Sequence, residues 1–165
     1  SDIPTLLRPG AVTLEMLENT CKRVDIDPAI EHLLTGNEAP KAPGMKYKHY
    51  APKADMKLVR GNESDVSKYI KGQIQNSDRL TAVLTVDEHK DILDTVSSEK
   101  SNIKVLSLGS SKNPESIAYN LFDILRKCDE LGVEYIFSES FDERGIGKAI
   151  MNRLKKAAGF EIIDV

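Results

Sequence analysis

Apolar residues recur along this chain in two rhythms that take turns. From Asp55 onward, short apolar runs alternate with stretches whose apolar residues fall three and four positions apart. The runs DMKLVRG, LTAVLTV, NIKVLSLG, VEYIFSE and FEIIDV predict five strands. Between the first two, NESDVSKYIKGQI places Val66, Tyr69, Ile70 and Ile74 on one helical face, with Asn62 as its cap. DEHKDILDTV is a weaker helix. Asn113-Pro114-Glu115 supplies a cap, a proline at the first helical position and an acid in the first turn. The helix that follows carries Ile117, Leu121, Ile124, Leu125, Cys128 and Leu131 and ends at Gly132, with Arg126 and Lys127 near its end. GIGKAIMNRLKKAAG predicts a fourth helix.

The apolar runs are continuous rather than alternating, the pattern of strands covered on both faces. Strands that alternate with helices are joined most simply as parallel neighbours through right-handed crossovers. The expected fold is therefore α/β: a Rossmann-like three-layer domain over residues 55–165, with a mainly parallel sheet of about five strands. Before it the rhythm differs. PTLLRPG reads as a short strand entering a Pro-Gly turn. Thr13 then caps a helix whose Leu14, Leu17, Cys21 and Val24 share a face. From Asp25 the period fades, ending in the linker-like TGNEAPKAPG. The chain thus divides into residues 1–35, a linker at 36–54, and residues 55–165.

Composition narrows the functional classes. The 165 residues are 40% hydrophobic and 30% charged, which describes a soluble globular protein. A net charge of −3 excludes a nucleic-acid-binding polycation. No apolar run approaches the roughly 20 residues of a membrane helix, and SDIPTLLRPG has no secretory pattern. Cys21 and Cys128 lack metal-ligand spacing and read as reduced thiols of a cytosolic protein.

Several segments could carry chemistry. Gly145 and Gly147 lie between a strand and a helix, where backbone N–H groups could hold a phosphate. The dinucleotide pattern is incomplete, since Ile150 stands where a third small residue belongs, so an ordinary loop is the better reading. In LGSSKNPES, Ser110, Ser111 and Lys112 follow a strand end, the place where ligands collect in open parallel sheets. They form either an anion site or a plain βα loop whose Asn113 caps the next helix. Glu139, Asp142 and Glu143 have no histidine or cysteine nearby in sequence and read as a solvated loop rather than a metal site. Arg8, before Pro9-Gly10, could grip a phosphate or simply face water. In APGMKYKHYAP, Ala42 and Ala51 precede prolines, so both ends are biased to extended geometry. If the middle is extended too, Met45, Tyr47 and His49 point one way, and Lys46, Lys48 and Tyr50 the other. Such an arm could lie over a nucleotide, or pack as an ordered basic linker.

The string PGMKYKHYAP resembles the interdomain linker of the long, two-domain threonylcarbamoyl-AMP synthases. PTLLRPGAVTLEML is similar to the closing segment of that family's catalytic domain. LGSSKNPESIAYNLFDILRKCDELGVEYIFSESFDERGIGKAIMNRLKKAAG is similar to its C-terminal domain. Ala42 is a small departure, where the family more often has Ser or His. The resemblance implies an enzyme, a nucleotidyltransferase that joins L-threonine, bicarbonate and ATP, with Mg²⁺, into threonylcarbamoyl-AMP and pyrophosphate. The carbamate oxygen of N-carboxythreonine attacks the α-phosphorus. A separate transferase complex then carries the group to a tRNA adenosine. The linker folds across the mouth of the catalytic cleft. Arg8 then corresponds to a nucleotide-contacting arginine, and His49 to a linker residue near the ATP phosphates. Lys46, Tyr47 and Tyr50 are closure contacts.

The resemblance also shows a large departure. Most of the family's catalytic domain would precede Ser1, so residues 1–35 are read as its remnant and no catalytic residue is expected within the chain. The expectation is a cytoplasmic C-terminal part that is inactive alone, needs no cofactor of its own, and touches neither membrane nor nucleic acid. Its first 40 or so residues should be poorly held or pair with another chain, because strands without neighbours are marginal. The competing readings are a free-standing Rossmann-like nucleotide- or anion-binding module and a structural dimerisation domain.

Overall fold

Five short strands with buried apolar side chains form the centre of this protein. The computed structural model describes residues 3–30 and 51–165. The strands are β3 (Asp55–Arg60), β4 (Thr81–Thr85), β5 (Ile103–Ser107), β6 (Tyr135–Glu139) and β7 (Ile162–Asp164). They pair in the order β5-β4-β6-β3-β7, every pairing parallel. The helices between them are α2 (Glu63–Gln75), α3 (Asp87–Glu99), α4 (Pro114–Glu130) and α5 (Ile146–Ala157). The N-terminal segment adds β1 (Thr5–Leu6), α1 (Leu14–Thr20), β2 (Asp25–Ile26) and a 3-10 turn at Pro28–Ile30.

Strand order explains the layers. The chain moves toward β5 through α2 and α3, and returns toward β7 through α4 and α5. Right-handed crossovers running in opposite directions must lie on opposite faces. The two apolar clusters are arranged accordingly. Val66, Ile70, Ile74, Leu93 and Val96 of α2 and α3 meet Val59, Val83 and Phe137 on one face. Ile117, Leu121, Leu125, Ile150, Met151 and Leu154 of α4 and α5 meet Leu58, Leu84 and Ile136 on the other. Neighbouring strand residues such as Val83 and Leu84 thus feed opposite layers, as strand geometry requires. The three-layer α/β architecture is the one expected. Its order departs from the dinucleotide-binding arrangement, because β6 separates β3 from β4.

The predicted element boundaries after Asp55 hold closely; before it, the helix expected to carry Cys21 and Val24 ends at Thr20, with Cys21 already extended, and there are two further local corrections. Asn62 does cap α2: its Oδ1 accepts from the Asp65 amide at 3.0 Å. Asn113 does not cap α4 with its side chain. Its carbonyl instead accepts from the Ser116 amide at 3.0 Å and the Ser116 hydroxyl at 2.7 Å, while Pro114 sets the first turn. The second correction is β2, which lies in the aperiodic stretch after Val24 and pairs parallel with β1, Thr5 opposite Asp25 and Leu6 opposite Ile26. Thr13 caps α1 as expected, accepting from the Met16 amide at 3.3 Å. The helix buries none of its residues, and Met16 is 56% exposed. Leu6, Ala29 and Ile30 are nonetheless buried, so the N-terminal segment is held at some points and bare at others. No helix among the described residues is long and apolar enough to cross a membrane.

Candidate functional site

The carboxyl ends of β4, β6 and β3 adjoin the first turns of α2 and α3. In a parallel sheet this edge, where neighbouring crossovers diverge, is the ordinary place for a ligand. Glu139, the last residue of β6, is buried there with its side chain 8% exposed. Its Oε1 accepts from the Thr85 hydroxyl at 2.8 Å. His89 Nδ1 lies 3.1 and 3.0 Å from its two oxygens, and His89 Nε2 lies 3.2 Å from Glu63 Oε1. Both ring nitrogens therefore face carboxylates. The solvated-loop reading thus holds for Asp142 and Glu143 but not for Glu139. Its partner His89 is fifty residues away in sequence, so no local spacing could reveal the pair. Among the described residues no group of three or more His, Cys, Asp or Glu is placed to hold a metal ion.

One position read as an anion site, the loop at Ser110 and Ser111, does hold a carboxylate, drawn from the chain itself. Ser110 Oγ donates to Glu88 Oε1 at 2.5 Å and the Ser111 amide donates to Oε2 at 3.0 Å. The Ser110 hydroxyl, the Ser111 amide and the Glu88 amide at the start of α3 lower the Glu88 pKa to about 2. Lys112 stays exposed, its amide donating to Ser110 Oγ at 3.2 Å. At the other position, Gly145 precedes α5 with φ +56°, a conformation suited to glycine. Glu15 of α1 faces its backbone and Lys148. Together with Glu15's own amide and Thr13, the stronger influences, they hold that carboxyl below its usual range. Gly147 serves packing: a Cβ there would overlap the Asp142 carbonyl oxygen, and its N–H donates to the Arg144 carbonyl at 3.0 Å.

Glu15 is one end of a seam between the N-terminal segment and α5. Midway, the buried Asn152 donates its side-chain N–H to the Ile30 carbonyl at 2.8 Å. Toward the C-terminal end of α5, Arg8 comes close enough to Arg153 and Lys156 for its charge to act on both. Burial first, and Arg8 second, lower the pKa of each. The Arg153 guanidinium lies over the Phe122 ring of α4, 5.1 Å from its centroid. Of the residues implied as nucleotide contacts, Arg8 is thus placed, exposed, beside two further cations. Nothing in the spacing of α5 marks Arg153 or Lys156. Their company is tertiary. The linker residues Lys46, Tyr47, His49 and Tyr50 lie outside the described residues.

The profile of the threonylcarbamoyl-AMP synthase C-terminal domain matches residues 12–159. The threonylcarbamoyl-AMP synthase of Bacillus subtilis is 40% identical over 162 residues, which cover 98% of this chain and 44% of that protein. A crystal structure of Pyrococcus abyssi Sua5 complexed with L-threonine matches with a TM-score of 0.79 and 37% identity, over 98% of this chain and 44% of that one. A variant of the same protein, with a histidine and the tyrosine after it both changed to alanine, matches with a TM-score of 0.79 and 35% identity, over 98% and 43%. The chain therefore spans less than half the length of these relatives.

Proposed function

Because the chain belongs to the threonylcarbamoyl-AMP synthase C-terminal domain family, we propose that it is the C-terminal part of an L-threonylcarbamoyladenylate synthase. The parent enzyme joins ATP, L-threonine and bicarbonate into threonylcarbamoyl-AMP and pyrophosphate, in the cytoplasm, for transfer to tRNA by a separate complex. The observation that carries this reading is coverage: a relative named for that product aligns with 98% of this chain. Residues 1–35 are the end of the catalytic domain, 36–54 the linker, and 55–165 the accessory domain.

Arg8 and His49 act on the nucleotide in this reading. A guanidinium offers a planar fork to phosphate oxygens, and an imidazole donates one further hydrogen bond. Their work is to hold the phosphates in line and offset charge as the α-phosphorus is attacked. Lys46, Tyr47 and Tyr50 would close the linker over the cleft. The Pyrococcus abyssi variant replaces a histidine followed directly by a tyrosine. This chain contains one such dipeptide, His49-Tyr50. Mg²⁺ would offset phosphate charge when bound with ATP. The described residues offer no cluster to hold it, so no step is assigned to this chain through it.

The test is an assay of pyrophosphate release from ATP, threonine and bicarbonate. The chain alone should release none, and the parent enzyme should turn over. His49→Ala in the parent should lower the rate about ten-fold or more, the scale of losing a phosphate-directed donor, with an unchanged melting temperature. Turnover by the chain alone, or full activity in His49→Ala, overturns the respective part of the proposal.

A further inference from the structure

More than one face of α5 is covered. Ile150, Met151, Leu154 and Ala157 pack into the apolar cluster on the sheet. Ala149 and Asn152 lie outside that cluster, yet they are only 3% and 6% exposed. They stand three positions apart and so share a second helical face. The Ile30 carbonyl meets this face, accepting from the Asn152 side chain at 2.8 Å. Ile30 is itself presented by a braced turn. The Asp27 carboxylate accepts from the Ala29 amide, and the Asp27 carbonyl from the Ile30 amide, each at 3.0 Å.

The chain returns to the same layer at Lys53. The Lys53 amide donates at 2.8 Å to Asp129 Oδ1, in the last turn of α4. Ala54 then packs against the cluster that α4 and α5 share. The Asp55 amide donates to the Glu134 carbonyl at 3.1 Å as β3 begins. Ile30 and Lys53 flank the stretch that carries PGMKYKHYAP. Both flanks are thus tied to neighbouring helices of one layer. The two bonds join residues 122 and 76 positions apart in sequence.

We propose that α4 and α5 clamp the two ends of the segment that carries PGMKYKHYAP, Asn152 holding Ile30 and Asp129 holding Lys53, so that the accessory domain serves the reaction as the mount of the linker. What the linker reaches rests on the function proposed above. The clamp rests on the two bonds. Fixing both ends of a segment narrows the volume it can explore and raises its effective concentration at its target. The two ends differ in strength. The Asn152 bond is buried, so losing it leaves the Ile30 carbonyl unpaired. The Asp129 bond is charge-assisted but exposed, and water can replace it. Asn152 and Asp129 are therefore positioning residues, and Asn152 is the stronger of the two.

The test reads the anchors and the chemistry separately. In the whole chain, amide exchange followed by NMR should show Lys53 protected in the wild type and in Asp129→Asn, which keeps a side-chain acceptor. Exchange at Lys53 should be about ten-fold or more faster in Asp129→Ala, and likewise at Ile30 in Asn152→Ala. In the parent enzyme, kcat/KM for ATP should fall about ten-fold or more in Asn152→Ala, the scale of a misplaced reacting geometry. Asp129→Ala should lower it by a smaller factor, and Asp129→Asn should restore it. Val96→Ala, in the opposite layer, loosens the fold without touching either end and should leave the kinetics intact. Unprotected Ile30 and Lys53 amides in the wild type overturn the clamp. An equal loss of activity in Val96→Ala overturns the positioning role. Lost protection with unchanged kinetics in Asn152→Ala/Asp129→Ala sinks the inference and leaves the proposed function standing. Protected ends in a parent that makes no threonylcarbamoyl-AMP sink the function and leave the clamp.

Discussion

Glu88 accepts from a hydroxyl and a backbone amide of the loop that follows β5, and its carboxyl is held at about 2 against an ordinary 4.5. A depressed folded pKa stabilises the protein above the unfolded value, and that contribution is lost as pH falls from about 4.5 toward about 2. Glu88→Gln should therefore be less stable than the wild type near neutral pH. The gap should close below pH 4.5 and vanish near pH 2, as read by denaturation midpoints across that range. A gap independent of pH would mean that Glu88 acts by shape and not by charge. Legibility at this scale is uneven for a physical reason. The loop after β5 was readable either as an anion site at Ser110 and Ser111 or as a plain βα loop, because strand ends and helix starts orient backbone N–H groups by local geometry alone. That Glu88 occupies it was not readable, since tertiary packing selects the partner. The same holds for His89 and Glu139, and for Arg8 with Arg153 and Lys156.

Elements were more legible than contacts. The five strands and four helices after Asp55 follow from apolar spacing because each helix buries a stripe and each strand a run. Two-residue strands such as β2 carry too few side chains to leave a period, and their pairing with β1 is settled by backbone hydrogen bonds, with Asp25 N donating to Pro4 O at 2.9 Å and Asp27 N to Leu6 O at 3.0 Å. The start of α5 shows how an element boundary can mimic a ligand motif. The Gly145-Ile-Gly147 sequence suggests a phosphate loop, yet Gly147 is required by the Asp142 carbonyl lying against its Cα. Gly147→Ala should cost about 1–3 kcal/mol, the range for forcing an extra methyl into a packed site, in urea unfolding. Gly72, on α2, meets nothing within 4 Å of a built Cβ. Gly72→Ala should be neutral or stabilising by about 0.5–1 kcal/mol. Equal effects at the two positions would remove the packing explanation.

At the scale of the whole molecule, the two parts of the chain differ in how they are held. The sheet from β3 to β7 carries both apolar clusters, whereas the β1-β2 pair is two residues long and α1 buries nothing. The N-terminal segment was expected to be poorly held or to pair with another chain. Among the described residues its buried points are Leu6, Ala29 and Ile30, and Asn152 of α5 donates its side-chain N–H to the Ile30 carbonyl. A small anchor of this kind opens locally at a free energy below that of global unfolding. Asn152 is 6% exposed, and truncating it strands the Ile30 carbonyl as well as the space it fills. Asn152→Ala should therefore weaken the seam by about 1–3 kcal/mol. Hydrogen exchange should rise selectively in residues 3–30, by about ten-fold or more, while the amides of β4 and β6 keep their protection. Uniform loss across the sheet would show that the seam and the sheet unfold as one cooperative unit. Selective loss means that the seam opens while the sheet stays folded, with the Asn152 hydrogen bond to Ile30 as its latch.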